Sequence, residues 1–431
     1  MGNDKIFVDE FVLYLQKNAM ISNLSHSKAN LKHALSLSLI FTLIFTTVSM
    51  FPLYSQDTSK WAIVIHGGAG SASKNMNDSV KSLYEKHLRE ALILGVEMLK
   101  REEPAIDVVQ KVVNYMEDCP LFNAGKGAVM NIEGVHELDA AIMDGSNLKA
   151  GAIAGVKDIR NPVNAARLVM DSTSHVFLIG EGASEFAAQM GLEIVENSYF
   201  TTEARLRQYK EKQKISKVDH PEYREEKNTG YIKAKITGSV ENKDAGNVEI
   251  INTGGVEIIN AGGVEPEDYE DNKLKNSQNV AGSDPIGTVG CVALDLKGNL
   301  AAATSTGGMA GKKWGRVGDV PIIGAGTYAN NSTVAVSGTG HGEYWIRRVV
   351  AYDISALMEY RSFSLKEAAE EVIFKKIDPM GGSGGGVIAV DKNGEITMTF
   401  NTGLMHRAWA TWRGDAGVGV LKGEEKAITL K

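Results

Sequence analysis

Gly-Thr-Val-Gly-Cys-Val-Ala-Leu-Asp, residues 287–295, decides how the rest of the chain is read. The run is short and apolar, as a buried strand should be, and it follows directly on a long, polar, repetitive stretch with too little apolar content to pack. A threonine at the head of a buried strand, behind a dispensable linker, points to a chain that cuts itself between Gly287 and Thr288. A threonine hydroxyl alone is a weak nucleophile. An N-terminal threonine carries its own base, an α-amine with a reference pKa of about 7.7–8.0, so one residue supplies both attack and proton transfer.

The stretch upstream of this run is unlike the rest. From about residue 206 charged residues, Asn and Gly dominate, and Val248-Glu-Ile-Ile-Asn-Thr-Gly-Gly255 is nearly repeated as Val256-Glu-Ile-Ile-Asn-Ala-Gly-Gly263. A solenoid needs about three or more units to bury a core, so these repeats read as a flexible linker over 206–287, with a small β-hairpin insertion as the alternative. The flanking segments are regular. Residues 61–65 form a short buried strand that runs into His66-Gly-Gly-Ala-Gly70, a loop with unusual backbone freedom. Asn77 or Asp78 caps a helix whose apolar positions Val80, Leu83, Leu88, Ala91, Leu94 and Met98 recur at helical spacing, and Pro104 opens a second helix. Strands over 136–144 and 149–155, a helix near 162–171 and a strand at 175–180 follow. Past the linker, 289–295 and 300–305 pair around Gly298-Asn299, and helices lie near 342–360 and 364–377, the second with a capping box from Ser364 and Glu367. A hairpin over 387–391 and 395–400 turns on Asn393-Gly394. Two strand groups with helices between them suit two packed sheets covered by helices on both outer faces.

The 431 residues, 43% hydrophobic with a formal net charge of -7, are enough for one large core or two modest ones and give no electrostatic support to a nucleic-acid role. Two cysteines, Cys119 and Cys291, without metal-ligand spacing, indicate neither a zinc site nor a disulfide scaffold; Cys291 reads as a small buried thiol. Near the start, Lys28, Lys32 and His33 precede an apolar run over 34–51, which gives way to Pro52 and Tyr54-Ser-Gln-Asp57. That order is a secretory signal pattern, with Met20 as an alternative start. The expectation is export to the periplasm or medium with removal of residues 1–56 and no membrane in the mature form; an uncleaved anchor is the alternative.

Several further motifs keep the order and spacing of one family. Gly287-Thr-Val-Gly290, Thr304-Ser-Thr-Gly-Gly308, Gly315-Arg-Val-Gly-Asp319 and Gly338-Thr-Gly-His-Gly-Glu343, with His66-Gly-Gly-Ala-Gly70, Leu121-Phe-Asn-Ala-Gly125, Glu137-Leu-Asp-Ala-Ala141 and Gly381-Gly-Ser-Gly-Gly385, resemble the plant-type asparaginase or isoaspartyl peptidase family of N-terminal nucleophile hydrolases. The resemblance covers nearly all of 61–413 except the linker. It implies an α+β fold, a four-layer αββα sandwich whose two subunits, 57–287 and 288–431, arise by autoproteolysis, and a dimer of such heterodimers. It implies hydrolysis of L-asparagine and β-aspartyl dipeptides, with glycosylasparaginase as the runner-up within the fold. Outside it, a secreted binding protein cradling small ligands in Gly-rich loops remains, although 66–70 lacks both the GxGxxG spacing and the P-loop lysine.

The resemblance also assigns roles. Thr288 attacks the Gly287 carbonyl and later the substrate, and glycine at 287 permits a strained backbone that a Cβ would resist. Thr306 holds and tunes the nucleophile. Thr339 and Gly340 form the oxyanion hole, Arg316 and Asp319 clamp the α-carboxylate and α-ammonium, and Val317, Gly318, His341 and Gly342 line the substrate. Asn123 assists autocleavage. No cofactor takes part in catalysis, but the backbone of Met116, Glu117, Cys119, Phe122, Ala124 and Lys126 corresponds to a structural sodium loop. Three departures bear on substrate preference: Ser337-Gly338 where Ser-Cys is often seen, His341 in place of a small hydroxyl residue, and Lys312-Lys313-Trp314 before Gly315.

Overall fold

The computed structural model describes residues 60–70, 76, 78–218, 287–382 and 384–430; the signal segment, Met20, the Asn77 cap and the repeats lie outside these. Before the Gly287-Thr288 bond come β1 (Ala62–Gly70), α1 (Asp78–Lys100), α2 (Ala105–Asp118), β2 (Leu138–Asp144), β3 (Ala150–Val156), α3 (Pro162–Ser172), β4 (Phe177–Ile179), α4 (Gly180–Gln189) and α5 (Glu203–Val218). After it come β5 (Val289–Leu294), β6 (Leu300–Thr306), β7 (Thr327–Ala329), β8 (Val334–Thr339), α6 (Gly342–Arg348), α7 (Val350–Arg361) and α8 (Leu365–Glu370). β9 (Gly386–Asp391), β10 (Ile396–Phe400), β11 (Leu404–Thr411), β12 (Ala416–Leu421) and β13 (Glu425–Ala427) complete the chain.

The strands form a nine-stranded sheet ordered β13-β12-β11-β1-β5-β6-β2-β3-β4 and a four-stranded sheet ordered β10-β9-β8-β7. Among the described strands all pairs are antiparallel except β3 with β4. β5 and β6, which follow Thr288, therefore lie between β1 and β2, which precede it. This is the mixed α/β architecture with large sheets that the sequence predicts.

Strand period explains the packing. Successive side chains of β1 point to opposite faces. Ile63 and Ile65, with Cys291 and Ala293 of β5, pack on Leu88 and Leu92 of α1 and Val112 and Met116 of α2. Ala62 and Val64, with Val292 and Leu294, meet Ile388 and Val390 of the smaller sheet. The other face of that sheet, through Val334, Val336, Val387 and Ala389, packs on Ile354 of α7 and Ala368 and Ala369 of α8. With both faces covered, β1 and β5 are wholly buried, which is why each reads as an apolar run rather than an alternation.

Four local expectations change. Residues 66–70 are not a loop: they continue β1, which pairs with β11 as far as Gly70↔Leu404 around a bulge between His66 and Ala69. Gly67 and Gly68 absorb the bulge, and Gly68 has φ +106. Helix α5 occupies the start of the predicted linker. Its composition is polar because its side chains bond backbone carbonyls of the main body: Arg205 Nε donates to Gly127 O at 2.6 Å, Lys212 Nζ to Ala310 O at 2.9 Å and Gln213 Nε2 to Ile132 O at 3.0 Å. The predicted helix over 342–360 breaks at Val349, which adopts φ 49. The helix from Ser364 keeps its capping box but widens to a π-helix over Glu371–Ile377. Among the described residues no helix is long and apolar enough to cross a membrane.

The large sheet depends on close approach of α3 to β3, where a Cβ placed on Gly151 would stand 1.9 Å from Ala166 O. Gly151→Ala should push α3 off the sheet and cost about 1–3 kcal/mol, as overpacking does. Chemical denaturation checks this, and an unchanged midpoint would show that the helix yields freely.

Candidate active site

The register of the central strands assembles the site. β1 pairs with β5 so that His66 faces Gly290, and β5 pairs with β6 so that Val289 faces Ser305. Thr288, one residue before β5, thus lies beside Thr306 at the end of β6. The Thr288 hydroxyl donates to Thr306 Oγ1 at 3.2 Å, and Thr306 Oγ1 also accepts the Gly308 N–H at 3.0 Å. Thr288 is only 8% exposed, so little water competes for its hydroxyl.

Gly287 is held by glycine against glycine. A Cβ on Gly68 would lie 2.2 Å from Gly287 Cα, and one on Gly287 would lie 2.9 Å from both Gly67 O and Gly68 Cα. Close backbone approach is thus a second reason for glycine at 287, beside conformational freedom.

Thr339 ends β8 and is buried. Its Oγ1 accepts the Ala69 N–H at 3.3 Å, which leaves the hydroxyl proton free to donate elsewhere. Gly340 follows, packed so closely on the 384–385 backbone that a Cβ would come within 2.8 Å of Gly385 Cα. His341 borders this loop: a Cβ on Gly384 would lie 3.4 Å from its Nδ1, and its ring meets Tyr344 edge-on at 6.2 Å.

Arg316 and Asp319, the predicted clamp pair, lie close together, and Glu343 joins them. Arg316 donates from Nε and Nη2 to the two carboxylate oxygens of Glu343, each at 2.9 Å. Glu343 therefore fixes one edge of the guanidinium and leaves the Nη1 side to a ligand. Gly318 and Gly342 make room: a Cβ on Gly318 would sit 2.9 Å from Arg316 Nη1, and one on Gly342 would sit 2.9 Å from both Arg316 Nη2 and Asp319 Oδ1. Val317 is half-buried on the same loop. Asp319 is buried with Oδ2 lacking any partner among the described residues. Burial pushes its carboxyl up to about 7, against the pull of the nearby Arg316 charge. An acid held in this way is ready to receive a cation.

Asn123 is held by three hydrogen bonds. Its Nδ2 donates to Gly308 O at 2.9 Å, its Oδ1 accepts Val129 N–H at 2.8 Å, and its carbonyl accepts Gly307 N–H at 3.1 Å. It braces the turn after Thr306, and no hydrogen bond joins it to Gly287 among the described residues. In the 116–126 segment the carbonyls of Met116, Glu117 and Cys119 each accept one backbone N–H, from Cys119, Lys126 and Phe122. Each keeps a second lone pair, and such oxygens suit a hard cation. Both cysteines are free and buried, and burial pushes the Cys291 thiol well up.

Sequence reasoning missed a buried polar layer. His66 Nδ1 contacts Thr288 O at 2.9 Å and Nε2 contacts Ser337 Oγ at 2.8 Å. Ser337 meets Thr304 at 2.8 Å, and Thr304 accepts from Thr327 at 2.7 Å. Lys312 is also buried, its Nζ donating to Glu137 O at 2.9 Å with Asp139 Oδ2 4.0 Å away. The one available signal was Gly290, since a glycine inside an apolar strand marks close approach by another group.

With this geometry in place, the comparisons with known proteins agree. The family model described as Asparaginase matches residues 59–420. The isoaspartyl peptidase of Escherichia coli (strain K12) is 44% identical over 353 residues, covering 81% of this chain and 92% of that protein. The isoaspartyl peptidase of Salmonella typhimurium is 43% identical over 352 residues, covering 81% and 95%. The isoaspartyl peptidase/L-asparaginase of Xenopus laevis is 34% identical over 373 residues, covering 86% and 99%.

The unpartnered Asp319 has a stability consequence. Its folded pKa, about 7, lies above the unfolded value of about 3.9. Its contribution to stability is therefore complete below about pH 4 and is lost as pH rises through 7. Asp319→Asn should melt with the parent at pH 4 and above it at pH 8. Equal melting at both ends would mean that the carboxyl is not strained.

Proposed function

This chain belongs to the asparaginase family, and from that premise we propose that it is a self-processing amidohydrolase acting on β-aspartyl (isoaspartyl) dipeptides and L-asparagine. The observation that carries the proposal is Thr288, nearly buried, hydrogen-bonded to Thr306 and preceded by a glycine packed against the Gly67-Gly68 backbone of β1. The relatives named above are isoaspartyl peptidases, which favours this reading over glycosylasparaginase.

In maturation, Thr288 Oγ attacks the Gly287 carbonyl and the amide becomes an ester. Water hydrolyses the ester, giving a Gly287 carboxylate and a free Thr288 amine. In turnover that amine takes the hydroxyl proton as Oγ attacks the substrate's β-carbonyl. The negative oxygen faces the Thr339 hydroxyl and the Gly340 N–H, and losing one such donor costs about 2.7–4 kcal/mol of barrier. Arg316 takes the α-carboxylate on the side that Glu343 leaves open, and Asp319 takes the α-ammonium and is thereby ionised. The amine passes its proton to the departing ammonia or amino acid. Water then releases aspartate from the ester and restores Thr288.

Several finer features belong to the same proposal. The three apolar clusters support a four-layer αββα sandwich. The two fragments stay associated and pair as a dimer of heterodimers. The 116–126 carbonyls hold a structural sodium ion that takes no part in these steps. The precursor is exported and loses residues up to about 56. Intact mass of secreted material still containing Phe51 would refute that last point.

Three results test the core. Purified protein should run as two bands on a denaturing gel, the smaller opening with Thr-Val-Gly-Cys-Val on N-terminal sequencing. Thr288→Ala should give one uncut, inactive chain, and self-cleavage retained in that variant would remove Thr288 as nucleophile. Arg316→Ala should still cut itself but lose kcat/KM for β-aspartyl dipeptides by about 10- to 100-fold, the scale of a lost charge-assisted contact. Unchanged kcat/KM would remove the clamp.

A further inference from the structure

Resting on the threonine-nucleophile reading, we propose that His66 is a positioning residue for Thr288: it grips the carbonyl of the nucleophile's own residue and is itself locked by a line of hydroxyls crossing between the two sheets. The polarity of this line follows from elementary donor and acceptor chemistry. The Thr288 carbonyl offers only lone pairs, so the proton of the neutral imidazole lies on Nδ1, which donates at 2.9 Å. Nε2 is then an acceptor, and the Ser337 hydroxyl donates to it at 2.8 Å. Ser337 Oγ accepts from Thr304 at 2.8 Å, and Thr304 accepts from Thr327 at 2.7 Å. The single Thr327 proton faces both Thr304 Oγ1 at 2.7 Å and the Val320 carbonyl at 3.1 Å; from Thr304 through Ser337 to His66 each hydroxyl donates once, and that part of the line runs one way.

His66 and Thr304 sit on β1 and β6 of the large sheet, Ser337 and Thr327 on β8 and β7 of the small one. All four are fully buried. Burial holds the imidazole down to about 3, so it grips as a neutral donor at neutral pH. Both ring nitrogens are occupied, and the Thr288 hydroxyl is directed to Thr306 instead. His66 is therefore not the base. Its effect is geometric: with the carbonyl pinned, the amine and Oγ that hang from the same Cα keep their directions in both scission and turnover.

A third position supports the assignment independently. Gly290 faces His66 across the β1–β5 pair, and a Cβ there would lie 2.0 Å from Ser337 Oγ and 2.4 Å from His66 Nε2. Glycine at 290 clears the space in which the imidazole and the serine meet.

The test uses the full chain carrying His66→Asn, His66→Gln or Gly290→Ala. Self-cleavage is followed on gels, and kcat and KM for a β-aspartyl dipeptide are measured per released Thr288 terminus. Asn can place an amide nitrogen where Nδ1 stood, so His66→Asn should keep kcat within about threefold; Gln carries its nitrogen beyond that point, so His66→Gln should lower kcat by about 10- to 100-fold with KM within about twofold. Gly290→Ala should behave like His66→Gln although His66 is still present. If it does not accumulate, Ser337→Ala, which removes the donor to Nε2, takes its place. Equal kcat for the Asn and Gln variants, or a loss confined to KM or to melting temperature, overturns the proposal. A parent chain that neither cuts itself nor hydrolyses the dipeptide sinks the nucleophile reading beneath it before any variant is compared.

Discussion

The contact on which the molecule turns is backbone against backbone: Gly68 of the β1 bulge laid over Gly287 with no room for a side chain on either. β1 cannot shift to relieve it, because β11 holds one edge and β5 the other. The bulge must therefore fall where the two glycines are, and its position fixes the peptide that precedes Thr288. Downstream of that peptide the β5–β6 register carries Thr306 to the same place. The Thr288 hydroxyl is located here by sheet pairing rather than by a flexible loop, which is how a side chain reaches sub-ångström placement.

Around this frame the protein tolerates groups that a core would normally reject. Asp319 keeps a carboxylate oxygen without a partner, and His66 is buried in its neutral form. Thr339 gives its lone pair to Ala69 and keeps its proton for another acceptor. Each costs stability in the resting molecule, and each has a place in the proposed reaction. Such trade-offs are concentrated where function requires them.

Much of this was legible beforehand, for identifiable reasons. The hairpins at Gly298-Asn299 and Asn393-Gly394 rest on turn chemistry that acts locally, and the structure has both pairs. The Ser364 capping box is equally local and is present. Thr288, Thr306, Arg316, Asp319 and Thr339 were singled out because they sit in motifs, and the structure brings Thr288 and Thr306 together. Errors arose where distant partners decide the outcome. His66-Gly-Gly-Ala-Gly70 looks like a loop by composition, yet β11 pairs with it. Helix α5 looks like linker until the carbonyls of Gly127, Ile132 and Ala310 are placed beside it. Val349 in a left-handed conformation has no sequence signature at all. The line from His66 to Thr327 joins residues as far as 271 positions apart, and only Gly290 hinted at it.

If the Gly287-Thr288 bond is cut as proposed, the threading of β5 and β6 between β1 and β2 has a thermodynamic sequel. Neither piece can depart without tearing open the middle of a nine-stranded sheet, so melting and dissociation become one event. Before the cut, refolding is a first-order search by a single chain. Afterwards it requires two molecules to meet, and it slows with dilution. A chain cut there would be the product of a one-way passage, its lifetime set by how slowly the sheet opens rather than by how readily it re-forms.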